Sequence, residues 1–138
     1  MPVLWIHFSD IDFPMNTWIL VIDDDAGTRE ALTEILGRAG YQVSSWADDA
    51  LLEIPDDVGR DFQVAIIDYH LPSGDGLKVA ARLKSLQPDC RVILTSSKLP
   101  PASELSPARG LVDRFLTKPF SKDVILEVVA RLCHPEPL

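Results

Sequence analysis

A buried strand that ends in a single acid constrains the fold of this chain more than any other feature of its sequence. In the stretch Val64 to Gly76, VAIIDYHLPSGDG, four β-forming residues run into Asp68 and then into a loop rich in glycine and proline. A short, continuous apolar run is typical of a strand that is buried on both faces of a parallel sheet. Ligands of open α/β sheets bind beyond the carboxyl ends of such strands. Asp68 is therefore either a site residue or an aspartate that only turns the loop.

The rest of the chain alternates between strand and helix patterns. Strands are predicted at Trp18 to Ile22, Tyr41 to Ser45, Val64 to Ile67, Arg91 to Leu94 and Leu111 to Thr117. Helices are predicted from Ala26 to Ala39 before Gly40, from Ala47 to Ile54 before Pro55, from Leu77 to the stop at Pro88, and after the cap residue Ser121. Parallel strands need crossover connections, which are right-handed. The pattern therefore predicts an α/β fold, a flavodoxin-like doubly wound five-stranded parallel sheet of order 2-1-3-4-5.

The segment between the fourth and fifth strands departs from this pattern. It contains Pro100, Pro101 and Pro107 within a short stretch. Proline inside a helix removes a backbone hydrogen bond and clashes with the preceding turn. We therefore expect a degraded fourth helix, with residues Lys98 to Gly110 irregular or only briefly helical.

Composition excludes several classes of function. The chain has 138 residues, enough for one domain with a proper core. Its net charge of −8 argues against direct nucleic-acid binding, which needs a basic surface, and favours cations or basic partners. No apolar run reaches membrane-spanning length, so no membrane partner is expected. Cys90 and Cys133 lack metal-binding spacing and indicate reduced thiols, hence a cytoplasmic protein.

The first residues fit poorly with the domain pattern. Residues 1–14 are apolar without the basic region of a signal peptide, whereas a compact domain would start at Met15. We therefore expect an N-terminal extension at 1–14, a domain at 15–134 and a tail at 135–138. The extension is either the product of a start codon assigned too early or an arm that packs on a neighbour.

Four strands of the predicted sheet are followed by, or end in, residues whose side chains can bind a ligand or take part in a reaction. Asp23 and Asp24 follow the first strand, Asp68 the third, Thr95 the fourth and Lys118 the fifth. In the order 2-1-3-4-5, these ends meet along one edge of the sheet. Each residue alone has a simpler explanation, such as capping a helix or pointing into solvent. Their coincidence at one edge favours a functional site.

The residue types at this edge suit phosphoryl transfer. Clustered carboxylates repel one another, and Mg²⁺ relieves this repulsion because it prefers oxygen ligands. Asp23 and Asp24 suit metal binding, and Asp68 can act as both ligand and nucleophile. Attack of a carboxylate on a phosphoryl group gives an acyl phosphate. Lys118 and the Thr95 hydroxyl can then contact the phosphoryl oxygens.

The motifs VIDDD, AIIDYHLPSGDG, ILTSS and FLTKPF, in this order over residues 18 to about 133, resemble the receiver domains of two-component response regulators. The resemblance implies that Asp68 is the phospho-acceptor and that Lys118 contacts the phosphoryl group. It implies a Mg²⁺ site formed by Asp23, Asp24, Asp68 and the backbone carbonyl of His70.

Further residues receive roles from the same resemblance. Thr95 and Phe115 would form a switch pair, and the peptide bond from Lys118 to Pro119 would be cis, which proline permits. His70 and Ser97 occupy positions that tune dephosphorylation in the family. Packing alone would equally explain Phe115, because aromatic residues in strands are usually part of the core.

The implied function is phosphorelay signalling by a stand-alone response regulator. Phosphorylation of Asp68 would shift the surface formed by the fourth helix, the fifth strand and the last helix. The implied partners are a sensor histidine kinase or a histidine phosphotransfer protein, a downstream protein target and, through self-association, a homodimer. The chain would be a phospho-acceptor that promotes its own phosphorylation and dephosphorylation rather than a turnover enzyme.

Two alternatives remain open on the sequence. Asp23 and Asp25 match the D-x-D start of haloacid dehalogenase-type phosphatases, but Gly27 stands where those enzymes carry threonine. The second alternative is a receiver-shaped protein-interaction module that is not phosphorylated. The irregular segment from Lys98 to Gly110 favours it, and the complete set of acids, threonine and lysine opposes it.

Overall fold

A five-stranded parallel sheet forms the centre of the molecule. The computed structural model describes residues 17–53, 60–72, 74–98, 103 and 110–134. The strands are β1 (Trp18–Ile22), β2 (Gln42–Trp46), β3 (Val64–Asp68), β4 (Arg91–Ser96) and β5 (Arg114–Thr117). Their spatial order is β2-β1-β3-β4-β5, and every neighbouring pair is parallel. The predicted flavodoxin-like order is therefore confirmed.

Helices cover both faces of the sheet. They are α1 (Ala26–Arg38), α2 (Gly76–Leu86) and α3 (Lys122–Cys133). On one face, β-strand side chains pack against α2 through Val79, Ala80 and Leu83. On the other face, the core includes residues of both α1 and α3. All five residues of β3 are buried, as its continuous apolar run predicts.

Two predicted elements differ from the structure. Instead of a helix from Ala47 to Ile54, the described residues form a short 3-10 turn, Ala50–Glu53. The Asp48 carboxylate accepts the Ala50 N–H at 2.9 Å, a local bond that competes with helix formation. The fifth strand is shorter than predicted and begins at Arg114 rather than Leu111, because the chain turns at Gly110, whose φ is 87°.

The junction between α1 and β2 also differs from the prediction, because α1 ends one residue earlier, at Arg38, and β2 begins one residue later, at Gln42. Gly40 has a φ of 100° and follows Ala39, the C-cap residue of α1. The Tyr41 N–H donates to the Leu36 carbonyl at 3.1 Å and so belongs to the helix end rather than to the strand. The predicted use of Gly40 to end the helix is confirmed.

Several expectations concern residues outside the described part of the chain. These are the extension at 1–14, the tail at 135–138, and almost all of the segment from Lys98 to Gly110, so the degraded fourth helix stays a prediction. Within the described ranges, none of the helices has the length and apolar character required to cross a bilayer. Cys90 and Cys133 are free thiols, and burial raises the pKa of Cys90 to about 12.

Gly76 allows α2 to begin directly against the main chain of Asp68 and Tyr69. Its N–H donates to the Tyr69 carbonyl at 2.7 Å, which closes the loop after β3. A Cβ atom at this position would overlap the Asp68 carbonyl and lie 2.9 Å from the Tyr69 Cα. The neighbours are backbone atoms, so they cannot move aside without displacing the end of β3.

We expect the substitution Gly76→Ala to lower the free energy of unfolding by about 2 kcal/mol, because overpacking forces backbone shifts. Urea denaturation measures the effect. Gly37→Ala in α1 is the matched control, since nothing lies within 4 Å of a Cβ atom there. The control should be neutral or stabilising by up to about 1 kcal/mol. Equal effects of the two substitutions would contradict the close approach at Gly76.

Candidate functional site

The carboxyl ends of four strands bring the predicted site residues to one edge of the sheet. Asp68 ends β3 and is paired in register with Thr95 of β4. Asp23 follows β1, which lies beside β3, and Lys118 follows β5, which lies beside β4. The structure therefore brings together residues that are widely separated in the sequence.

Three carboxylates form a cluster at this edge. One oxygen each of Asp23, Asp24 and Asp68 can be chosen so that all three lie within 4.8 Å of one another. Asp23 is 2% exposed and Asp68 is 6% exposed, whereas Asp24 is exposed to solvent. The cluster is thus mostly buried but open on the side of Asp24.

Asp25 caps a helix, unlike Asp23 and Asp24, which belong to the carboxylate cluster. It is the N-cap of α1, and its carboxylate accepts the Thr28 N–H at 2.8 Å and the Thr28 hydroxyl at 2.7 Å. These bonds lower the pKa of Asp25. The Asp25 N–H donates to the Asp23 carboxylate at 2.9 Å. The simple explanation by helix capping is therefore correct for Asp25, and Asp23 is oriented by the same turn.

Lys118 bridges the two buried acids. Its Nζ donates to Asp23 Oδ2 at 2.7 Å and to Asp68 Oδ2 at 3.2 Å. Burial by itself lowers the pKa of Lys118, but the bonds and charges of Asp23 and Asp68 outweigh this effect and raise it. Burial raises the pKa of Asp23 despite the contact with Lys118. The lysine therefore stays charged and offsets part of the repulsion between the acids.

The second oxygen of Asp68 has a main-chain partner. The His70 N–H donates to Asp68 Oδ1 at 3.1 Å. The His70 ring is exposed and lies edge-on to the Tyr69 ring, with centroids 4.8 Å apart. His70 thus contacts the acid through its backbone, and the metal-binding role of its carbonyl stays a prediction.

Thr95 and Phe115 lie on neighbouring strands. Thr95 is 1% exposed, and its hydroxyl has no hydrogen-bond partner in the described part of the chain. Phe115 is half-buried, is paired in register with Leu94, and packs against the core on the α2 face. Ser97 is exposed one residue beyond β4. The Thr95 hydroxyl is therefore a buried hydrogen-bond donor that lies on the strand position next to Asp68 and lacks an acceptor in the described residues.

The peptide bond between Lys118 and Pro119 is cis. The Lys118 N–H donates to the Ser96 carbonyl at 2.8 Å, so the loop after β5 stays attached to the end of β4. Lys118 reaches the two acids from this loop.

The sequence did not single out Arg29, which contacts the cluster from α1. Its guanidinium donates to the main-chain carbonyl of Asp23 at 2.8 Å. A contact from a side chain to the main chain leaves no residue pattern in the sequence. The only available signal was the position of an arginine in the first turns of the helix after the acids.

The donor set suits a hard divalent cation. Three clustered carboxylates are the oxygen ligands that Mg²⁺ and Ca²⁺ prefer, and an exposed acid provides an open side for water. In this structure the Lys118 ammonium provides positive charge at the same carboxylates. The residues present therefore fit a metal site.

Comparison with known proteins defines the class. The family model of the response regulator receiver domain matches residues 19–130. The chain therefore belongs to the response regulator receiver domains of two-component systems.

Individual relatives agree with this assignment. The transcriptional regulatory protein FixJ of Bradyrhizobium diazoefficiens is 34% identical over 121 residues, which are 85% of this chain and 58% of FixJ. A Burkholderia pseudomallei response regulator, solved with a phosphorylated aspartic acid, calcium ion and citrate, is 28% identical with a TM-score of 0.70. The match covers 88% of this chain and 76% of that one.

A further solved structure is the response regulator TrrA of Thermotoga maritima in complex with Mg²⁺ and BeF. It is 26% identical with a TM-score of 0.69, and the match covers 84% of this chain and 98% of that one. By contrast, the chain spans 23% to 58% of the length of the first three curated relatives it matches.

The unpaired Thr95 hydroxyl leads to a stability prediction. Thr95→Val replaces the hydroxyl with a methyl group of similar size, so the unphosphorylated protein should gain about 1 kcal/mol in free energy of unfolding. Urea denaturation in buffer without divalent cations measures this gain.

Ser96→Ala is the matched control for Thr95→Val. Ser96 is also buried, but its hydroxyl donates to the Lys98 carbonyl at 2.5 Å and accepts the Lys98 N–H at 3.2 Å. Its loss should destabilise the protein by about 1 kcal/mol. A destabilising Thr95→Val would show that the Thr95 hydroxyl has a partner in solution.

Proposed function

We propose that this receiver domain accepts a phosphoryl group on Asp68 in the presence of Mg²⁺ and thereby switches a protein-interaction surface. The observation that carries the proposal is the convergence of a buried carboxylate, two further acids, a bridging lysine and an unpaired hydroxyl at one edge of the sheet. Structural packing alone does not require this combination, because charged groups are costly to bury.

The chemistry is nucleophilic attack by Asp68. A carboxylate oxygen forms a bond to the phosphorus of a phosphodonor, the bond to the leaving group breaks, and Asp68 becomes an acyl phosphate. Asp23, Asp24 and Asp68, with the His70 carbonyl, would hold Mg²⁺, which offsets negative charge on the transferring group. The Lys118 Nζ atom lies 3.2 Å from the Asp68 carboxylate. It can therefore give up a hydrogen bond to a carboxylate and donate to a phosphoryl oxygen instead.

The switch begins at the Thr95 hydroxyl. Thr95 is the register neighbour of Asp68, so a phosphoryl group there would offer its hydroxyl the acceptor that it otherwise lacks. Movement of Thr95 toward Asp68 would leave space that Phe115 can enter. The surface around β5 and α3 would change its shape, and the phosphorylated state would favour a different partner.

The proposed partners follow from the family. A sensor histidine kinase or a histidine phosphotransfer protein would supply the phosphoryl group. The phosphorylated aspartic acid of the Burkholderia pseudomallei regulator supports the same chemistry here. We further propose that the output is a protein contact, made with a separate target or a second copy of the chain. The net charge of −8 supports this, since it disfavours contact with nucleic acid.

Incubation with acetyl phosphate and Mg²⁺ should add the mass of one phosphoryl group to the intact protein, measured by mass spectrometry. Asp68→Asn should abolish the increment, because its amide is not a nucleophile, and chelation of Mg²⁺ should strongly reduce it. Asp89→Asn is the matched control, since Asp89 is an exposed aspartate at the opposite end of β4, and it should be phosphorylated like the wild type.

The same experiment separates the rival functions. If the wild type acquires no phosphoryl group, and if beryllofluoride causes no spectral change, the proposal is wrong. The chain would then be a receiver-shaped interaction module. An increment that persists in Asp68→Asn would place the acceptor on another residue.

A further inference from the structure

We propose that Arg29 is a positioning residue that holds Asp23 in the orientation in which its carboxylate can bind a cation. The inference rests on the proposed metal-dependent function and assigns a new residue to it. Arg29 lies in α1, six positions after Asp23, and its Nη1 atom donates to the Asp23 main-chain oxygen at 2.8 Å. It therefore acts on the acid through the backbone, without touching the carboxylate in this contact.

Every hydrogen-bonding group of Asp23 has a partner. Its N–H donates to the Trp46 carbonyl of β2 at 3.0 Å, and its carbonyl accepts from Arg29. Its carboxylate accepts from the Asp25 N–H and from Lys118. Because Asp23 is 2% exposed, loss of any one partner would leave a buried polar group unpaired.

These partners are not equivalent once a cation is present. A cation at the cluster competes with Lys118 for the carboxylate oxygens of Asp23 and Asp68. The bond from Arg29 goes to the main-chain oxygen, so it can persist whether or not the carboxylate binds metal. Arg29 is thus the side-chain contact that can fix Asp23 in both states.

Arg29 also closes the loop that carries the acids. Its own N–H donates to the Asp25 carbonyl at 3.1 Å, while its guanidinium holds the Asp23 carbonyl. The N–H bond is the first main-chain bond of α1 and any residue at this position would make it, so only the bond to the Asp23 carbonyl depends on the arginine side chain. Groups that orient metal ligands in this way typically affect metal affinity as strongly as some ligands do.

The charge of Arg29 and its hydrogen bond predict opposite effects. A positive charge near the cluster repels a cation, so its removal alone would strengthen Mg²⁺ binding. Loss of the hydrogen bond would let the loop move and would weaken Mg²⁺ binding. The direction of the change therefore shows which effect dominates, and the geometry predicts that the hydrogen bond does.

The first test measures Mg²⁺ affinity by isothermal titration calorimetry without a phosphodonor. Arg29→Met should weaken binding about tenfold, and Arg29→Lys, which keeps the charge and a donor group but lacks the guanidinium geometry, should lie between that variant and the wild type. Arg38→Met is the matched control. Arg38 is also in α1, but it forms an exposed ion pair with Glu34 at 2.9 Å, so its loss should leave Mg²⁺ affinity unchanged.

The second readout needs no metal. Amide hydrogen exchange of Asp25, measured by NMR in the presence of a chelator, reports the bond from its N–H to the Asp23 carboxylate. Arg29→Met should accelerate this exchange, whereas Arg38→Met should not. Exchange of core amides in β3 serves as the internal reference for folding.

An unchanged or stronger Mg²⁺ affinity in Arg29→Met would overturn the inference, as would unchanged exchange at Asp25. Failure of the proposed function looks different, because the wild type itself would then bind no Mg²⁺. In that case the exchange experiment alone decides whether Arg29 positions Asp23.

Discussion

The contact of one lysine with two buried carboxylates is the interaction on which the rest of the site depends. Lys118 joins Asp23 and Asp68, which are contributed by different strands. Two buried acids at such close range repel each other, and burial already raises the pKa of Asp23. A positive charge between them is therefore required, and either the ammonium or a bound cation can provide it. This shared requirement is the physical basis of the metal- and phosphate-dependence that we propose for the site.

The order of the strands in the sheet makes this contact possible. β3 is buried along its whole length between β1 and β4, which places the carboxyl ends of three strands side by side. Gly76 lets α2 begin against the end of β3, and Asp25 caps α1 immediately after Asp23. The elements that carry the acids are thus anchored by bonds that do not involve the carboxylates of Asp23 and Asp68. Each of those two carboxylates instead accepts from Lys118 and from one main-chain N–H.

Much of this arrangement was predictable, because strand periodicity and crossover rules determine which ends of the strands meet. The positions of Asp68, Thr95 and Lys118 followed from three short strands and a parallel order. The short helix predicted from Ala47 was wrong, since the described residues form only a 3-10 turn from Ala50 to Glu53, and the Asp48 carboxylate bonds locally to the Ala50 N–H. Arg29 could not be predicted, because its partner is a main-chain oxygen and only the three-dimensional structure shows which one.

The central claim is that Lys118 exchanges a carboxylate partner for a phosphoryl oxygen while Thr95 gains an acceptor. A crystal structure of the protein with Mg²⁺ and beryllofluoride tests it most directly. We expect beryllium bonded to an Asp68 oxygen, Lys118 Nζ moved from Asp23 to a fluoride, and the Thr95 hydroxyl donating to another fluoride. A structure in which Lys118 still bridges Asp23 and Asp68, with no beryllofluoride on Asp68, would contradict the account.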